Sequence, residues 1–175
     1  MSEKQRTLAK EVSLKGKGLH SGVDVTITFK PAPANYGYKF CRTDLPGMPM
    51  IDAIADNVTE TSRGTTLVQG EASVATIEHV LAAFSGMRID NALIEINAPE
   101  APIMGGSSNM FVQAIKEAGT TELKEDRNYY VIKEKITFSD EEHGVDLIVY
   151  PDDHFSAHVL IDYNSKILGN QYAIL

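Results

Sequence analysis

Alternation of apolar and polar positions runs through much of the chain and predicts a protein built mainly from strands. VDVTITF, Val23–Phe29, alternates strictly, and Thr7–Leu14 alternates more loosely. Between them lies KGKGLHSG, a glycine-punctuated turn that carries His20. Short strands are predicted at Tyr38–Arg42, Ile51–Ala55, Thr65–Gln69 and Asn91–Asn97. Twice the period changes to that of a helix. One helix is predicted over Ile77–Phe84, with Ile77, Val80, Leu81 and Phe84 on its core face. A second is predicted over Ser108–Ala118, with Met110, Phe111, Ala114 and Ile115 apolar, a serine at its start and Gly119 just past its end. Strands followed by a helical layer, without repeated crossovers, read as α+β.

The stretch TTELKEDRN, Thr120–Asn128, is polar and densely charged, and a domain boundary is expected there, giving a first α+β domain over 1–125. Strand signals resume at Tyr129–Ile132, Ile136–Phe138, Val145–Tyr150 and Phe155–Ile161, and again from Gln171, with no helix to cover them. Residues 126–175 are therefore expected to begin a second, truncated domain whose sheet keeps a bare face. Such a face makes self-association the expected behaviour, or a partner that supplies the missing layer.

Composition narrows the function classes. The 175 residues are 43% hydrophobic and 23% charged, as in soluble globular proteins. No run approaches the roughly 18 apolar residues of a membrane span, and the polar start MSEKQRTLAKEV reads as neither signal nor anchor. Cytoplasmic residence is expected. Cys41 stands alone, which excludes an internal disulfide framework and a multi-cysteine zinc site. The formal charge of −8 argues against nucleic acid as a partner. It also weighs against a ribosomal-type interaction module. It leaves room for a small anionic substrate held by local cations, for which Lys15, Lys17, Arg42 and Arg63 are the candidates.

The first helix carries the sharpest chemistry. At about 100° per residue, Glu78 falls on the flank of the apolar stripe and His79 nearly opposite it. His79 shares its face with Ala82, Ala83 and Gly86, so another layer is expected to come close there. Both residues sit in the first turn, behind Thr76 or Ser73 as cap, where the helix dipole favours a carboxylate and a neutral imidazole. A neutral imidazole ligates metals and a carboxylate serves as a base, although a pair of solvated surface residues fits the same spacing. Without the second histidine of HExxH, one helix cannot hold a metal alone. His154 and His158 are four residues apart on a strand, about 13 Å, too far for one ion. His143 lies in an acidic turn, SDEEHG, and is expected to be solvated. His20 is a candidate ligand-site residue. APIMGGSS leads into a helix N-terminus, which either binds an anion or is capped by Ser107 or Ser108.

Over its full length the chain resembles the zinc-dependent UDP-3-O-acyl-N-acetylglucosamine deacetylases of lipid A (lipopolysaccharide) synthesis in Gram-negative bacteria. The resemblance rests on GKGLHSG, on PAPANYGYKFCRTDL, on TIEHVLAAFSGMRIDNALIEINAPEAPIMGGSS and on NQYA. It is strongest toward versions fused to a hydroxyacyl-carrier-protein dehydratase. It implies a two-layer sheet/helix sandwich domain of the ribosomal-S5-domain-2-like type, followed by an incomplete second copy. It implies Glu78 as general base, His79 as one of three Zn2+ ligands and His20 near the substrate, UDP-3-O-acyl-N-acetylglucosamine, whose N-acetyl group is hydrolysed. The remaining ligands are expected downstream of Leu175, so this stretch alone is expected to be inactive. Where the family usually has aspartate before GS, this chain has Gly105, which puts local order in question. The alternative is a non-catalytic sugar-nucleotide-binding or assembly module that kept the fold without the metal.

Overall fold

In the computed structural model, which describes residues 3–175, the strictly alternating segment after His20 becomes the spine of the main sheet. The early strands are β1 (Lys4–Leu8), β2 (Val12–Lys17), β3 (Asp24–Pro31), β4 (Tyr38–Arg42) and β5 (Met50–Asp52). After a short 3-10 turn at Ala55–Asn57 come β6 (Val58–Glu60), β7 (Thr66–Gln69) and β8 (Ala72–Val74). Then follow α1 (Glu78–Gly86), β9 (Ala92–Ile96), α2 (Asn109–Ala118) and β10 (Thr120–Asp126). The last strands are β11 (Ile136–Asp140), β12 (Val145–Val149), β13 (His158–Asp162) and β14 (Asn170–Ile174). The architecture is α+β, and the chain divides into two compact units, Met1–Arg127 and Asn128–Leu175.

In the first unit the five-stranded sheet runs β2-β3-β9-β4-β5, antiparallel except where β4 lies parallel to β9. Its alternation sorts one face inward: Val25, Ile27 and Phe29 of β3 are buried, as are Ala92, Ile94 and Ile96 of β9. The helices cover that face. The Phe29 ring meets Phe84 of α1 edge-on at 4.8 Å and Phe111 of α2 at 6.0 Å. The small sheet β6-β7-β8 adds Leu67, Ala72 and Val74 to the same core. Gly119 ends α2 at φ +70°, and its amide bonds back to the carbonyls of Ile115 and Lys116, the expected glycine stop.

Several elements depart from the sequence expectation. Thr7–Leu14 is two strands, because β1 pairs with β10 while β2 pairs with β3, and one straight segment cannot serve both partners. Most of Thr120–Asn128 is not linker but strand: β10 runs antiparallel to β1, and Lys4 pairs with Asp126 at 2.6 Å. The side chains of β10 are almost all exposed, and such a strand needs no apolar alternation, so hydropathy does not reveal it. Buried Asn91 anchors β1 from behind, donating to Gln5 Oε1 while its own Oδ1 accepts from the amides of Tyr36 and Gly37. On the helices, Ala83 is buried with the core residues rather than exposed beside His79, and Met110 faces outward.

The second unit consists of two separate hairpins, β11–β12 and β13–β14, while Tyr129–Ile132 forms no strand. Among its described residues none is buried. Tyr130 is 89% exposed and Ile167 95%. Exposed apolar side chains, among them Phe138, Leu147 and Leu160, are thus carried by both hairpins of this unit. Among the described residues no helix is long and apolar enough to cross a membrane.

Removing the Phe29 ring would break both aromatic contacts at the centre of the first unit. Phe29→Ala should destabilise that unit by about 3–5 kcal/mol, read as a shift of the urea midpoint followed by near-ultraviolet circular dichroism.

Candidate functional site

Four segments of the first unit converge at the N-terminal end of α1. Ala75 clasps the chain after β9 from both sides, its amide bonding the Pro99 carbonyl and its carbonyl accepting from Ala101. This fixes Glu100 between them, 3% exposed. A buried carboxylate must find donors, and Glu100 finds them on two other segments. Its Oε1 accepts from the His20 amide at 2.9 Å and the Thr76 hydroxyl at 3.2 Å, and its Oε2 from the Ser21 amide at 2.8 Å. Burial alone would raise the pKa of this carboxyl. The bonds from the Ser21 side chain, the two amides and Thr76 outweigh it and bring the pKa down to about 2. Gly18 shares the pocket: a Cβ there would lie 2.2 Å from Ser21 Oγ and 2.4 Å from Glu100 Oε2, so only glycine fits.

Thr76 is thus not the expected helix cap. It stands at φ +57° with its hydroxyl turned to Glu100, and α1 begins without a side-chain cap. Glu78 and His79 open the first turn as expected, both half-buried, with Val80, Ala83 and Phe84 buried on the other side. The fourth segment, 63–65, links them to His20. The amide of Thr65 donates to Glu78 Oε2 at 3.0 Å, and the Arg63 carbonyl accepts from His20 Nε2 at 3.2 Å. A carbonyl only accepts, so Nε2 carries the proton. Between them Gly64 sits at φ +155°, where a Cβ would lie 3.2 Å from Glu78 Oε1. Among the described residues, Glu78 Oε1 and the His79 imidazole have no hydrogen-bond or ion-pair partner.

The structure thus brings Glu78, His79 and His20 to one end of the first unit. The expected cations fare differently. Arg42 is buried, holds Asp44 with two nitrogens and donates to the Ser73 carbonyl, so it is unavailable to a ligand. Lys17 pairs with Asp24 at 2.7 Å, whereas Lys15 and Arg63 are exposed. At the start of α2, Ser107 Oγ accepts from the Asn109 amide at 3.4 Å. Gly105 is exposed at φ +86° with no atom within 4 Å of a Cβ, a conformation that aspartate tolerates better than most residues. Among the described residues one trio of metal-ligand side chains lies within 4.8 Å, Asp152, Asp153 and His154, all exposed and in the second unit. His143 and His158 are exposed, bonded to Asp140 and Tyr172.

Glu100, Gly64 and Thr65 were not singled out from the sequence. For Glu100 a signal exists: one charge in APEAP, flanked by alanines and prolines, is a charge set among small apolar residues.

The sequence profile of the family described as UDP-3-O-acyl N-acetylglycosamine deacetylase matches residues 5–175. The bifunctional enzyme LpxC/FabZ of Bacteroides thetaiotaomicron is 52% identical over 172 residues, which is 98% of this chain and 37% of that protein. The bifunctional enzyme LpxC/FabZ of Porphyromonas gingivalis is 51% identical over 173 residues, 99% of this chain and 37% of that protein. The UDP-3-O-acyl-N-acetylglucosamine deacetylase of Bdellovibrio bacteriovorus is 43% identical over 168 residues, 95% of this chain and 55% of that one. The chain thus spans about a third to a half of the length of these relatives.

Two outcomes follow from the geometry. Because the Glu100 pKa is lowered from 4.5 to about 2, its contribution, of order 1–3 kcal/mol after screening, is complete above pH 4.5 and lost as pH falls toward 2. Urea midpoints between pH 6 and pH 2.5 should fall less steeply for Glu100→Gln than for the parent. Gly64→Ala should cost about 1–3 kcal/mol, measured the same way, because the methyl group meets Glu78 in a backbone conformation closed to alanine.

Proposed function

The chain belongs to the UDP-3-O-acyl N-acetylglycosamine deacetylase family, and from that membership we propose that it supplies the base and one metal ligand of a zinc-dependent amide hydrolase. The substrate is UDP-3-O-acyl-N-acetylglucosamine, and the reaction releases acetate and the free 2-amine in lipid A synthesis. One observation supports this reading most directly. Glu78, anchored through one oxygen, and an unpartnered His79 share the first turn of α1 beside the His20 turn. An imidazole without a competing hydrogen bond fits a zinc ligand, and this chain offers that one corner of a site that needs three protein ligands.

Each residue then has a task. Thr65 fixes Glu78 Oε2, which leaves Oε1 to take a proton from the water whose oxygen bonds to the acetamide carbonyl carbon; as the C–N bond then breaks, that proton passes to the departing nitrogen and the free 2-amine leaves. A bound zinc supplies Lewis-acid activation of that water and of the amide carbonyl. His20, its Nε2–H directed to Arg63, lines the substrate side. The reading takes the first unit as a two-layer domain of the ribosomal-S5-domain-2-like type and the strands from Asn128 onward as the beginning of a second copy. It places the protein in the cytoplasm, where the nucleotide-sugar substrate resides. The bare apolar hairpins favour self-association when this chain is isolated.

The test uses the full-length gene product. Glu78→Gln should lower turnover by about 10²–10⁴-fold with zinc content retained, whereas His79→Ala should lose zinc. The 175-residue chain alone should release no acetate and bind zinc more weakly than micromolar, by calorimetry. Turnover that survives Glu78→Gln, or full zinc occupancy in His79→Ala, would contradict the proposal and favour a non-catalytic sugar-nucleotide-binding module.

A further inference from the structure

We infer that Glu100 is a positioning residue for this site, holding the His20 turn in register with the segment that leads into Glu78 and His79. The inference rests on the assignment of His20 to substrate binding. Glu100 itself reaches none of the chemistry: it is buried, and its partners are the amides of His20 and Ser21, the Ser21 side chain and the hydroxyl of Thr76. Those partners belong to two segments that, among the described residues, share no direct backbone hydrogen bond; Lys17 and Ala75 are each bonded to the 99–103 stretch, and the carboxylate of Glu100 adds the direct link between the His20 turn and Thr76. Thr76 stands two residues before Glu78 in a left-handed conformation that turns its hydroxyl to Glu100. On the other side, the amide of His20 is held while its ring extends to the Arg63 carbonyl, two residues from the amide that anchors Glu78. Backbone anchor and ring contact together leave the imidazole few orientations.

The chemistry of the cross-link is demanding. Each carboxylate oxygen accepts from a backbone N–H, Oε1 from His20 and Oε2 from Ser21. Glutamine has the same shape, but its NH2 would face one of those N–H groups, donor against donor. The turn must then shift or rotate away. Gly18 adds a steric lock, since its missing side chain is the space that Ser21 Oγ and Glu100 Oε2 occupy. The site thus needs a charged acceptor with two equivalent oxygens, not merely a polar side chain.

The test is steady-state kinetics and histidine-selective 15N NMR on the full-length gene product. Glu100→Gln should raise KM about tenfold with kcat little changed, and should move the His20 Nε2 resonance. His20→Ala should raise KM similarly, and the double variant should be no worse than the poorer single one, because both remove the same contact. Thr76→Val, which removes one donor and keeps the shape, should move KM and the His20 resonance the same way by a smaller amount, and carries the test if Glu100→Gln does not fold. An unchanged KM in His20→Ala overturns the assignment of His20 to substrate. An unmoved His20 resonance in the folded Glu100 variant, beside a His20→Ala variant that does lose affinity, overturns the inference alone. A multiplicative double variant, with KM effects that simply compound, overturns it too.

Discussion

A carboxylate with almost no contact with water governs the geometry of the first unit's working end. Charge removed from solvent is tolerated only where several donors converge on it, and the donors of Glu100 come from chain segments far apart in sequence. That requirement explains features that look unrelated: a glycine at position 18 without a left-handed turn to account for it, a threonine at φ +57° just before a helix, and an uncapped helix start. Each is a cost set by the position of the carboxylate. Satisfying Glu100, together with the backbone bonds that the 99–103 stretch makes to Lys17 and Ala75, sets the His20 turn and the segment leading into α1 side by side.

The core supplies the other coordinate. Phe29 sits under both helices, and its contacts with Phe84 and Phe111 fix how α1 lies on the sheet. With Val80, Ala83 and Phe84 committed to the sheet, Glu78 and His79 are carried to the side that remains. The 63–65 segment then closes the arrangement, anchoring one oxygen of Glu78 and leaving the other beside a residue with no side chain. Packing sets the direction of the helix, and hydrogen bonds set the direction of its functional groups.

Much of this was legible in the sequence where burial leaves a periodic mark. β3, β4, β9 and both helices are read from apolar spacing because one face of each is in the core. The Glu78/His79 orientation follows from the same bookkeeping, and His20 is visible as a histidine in a glycine turn. Ala83 was misplaced because alanine carries too little hydrophobicity to declare a face. β10 was hidden because a strand with exposed side chains obeys no apolar pattern, and its Asp126 pairs across to Lys4 instead. The Glu100 network was hidden for a different reason. It depends on three-dimensional convergence of residues 18–21, 76 and 100, which no local window contains.

The proposed function assigns metal binding to His79 and base catalysis to Glu78, at the start of α1 and beside the contacts that Glu100 makes. A crystal structure of the full-length gene product, grown with zinc and a non-hydrolysable analogue of the acetamide substrate, tests it most directly. The account requires zinc bonded to the His79 imidazole at about 2.0–2.1 Å, Glu78 against the reacting amide, and Glu100 still accepting from His20 and Ser21. Zinc held at Asp152, Asp153 and His154, with the His79 imidazole free and the analogue bound away from His20, would contradict it.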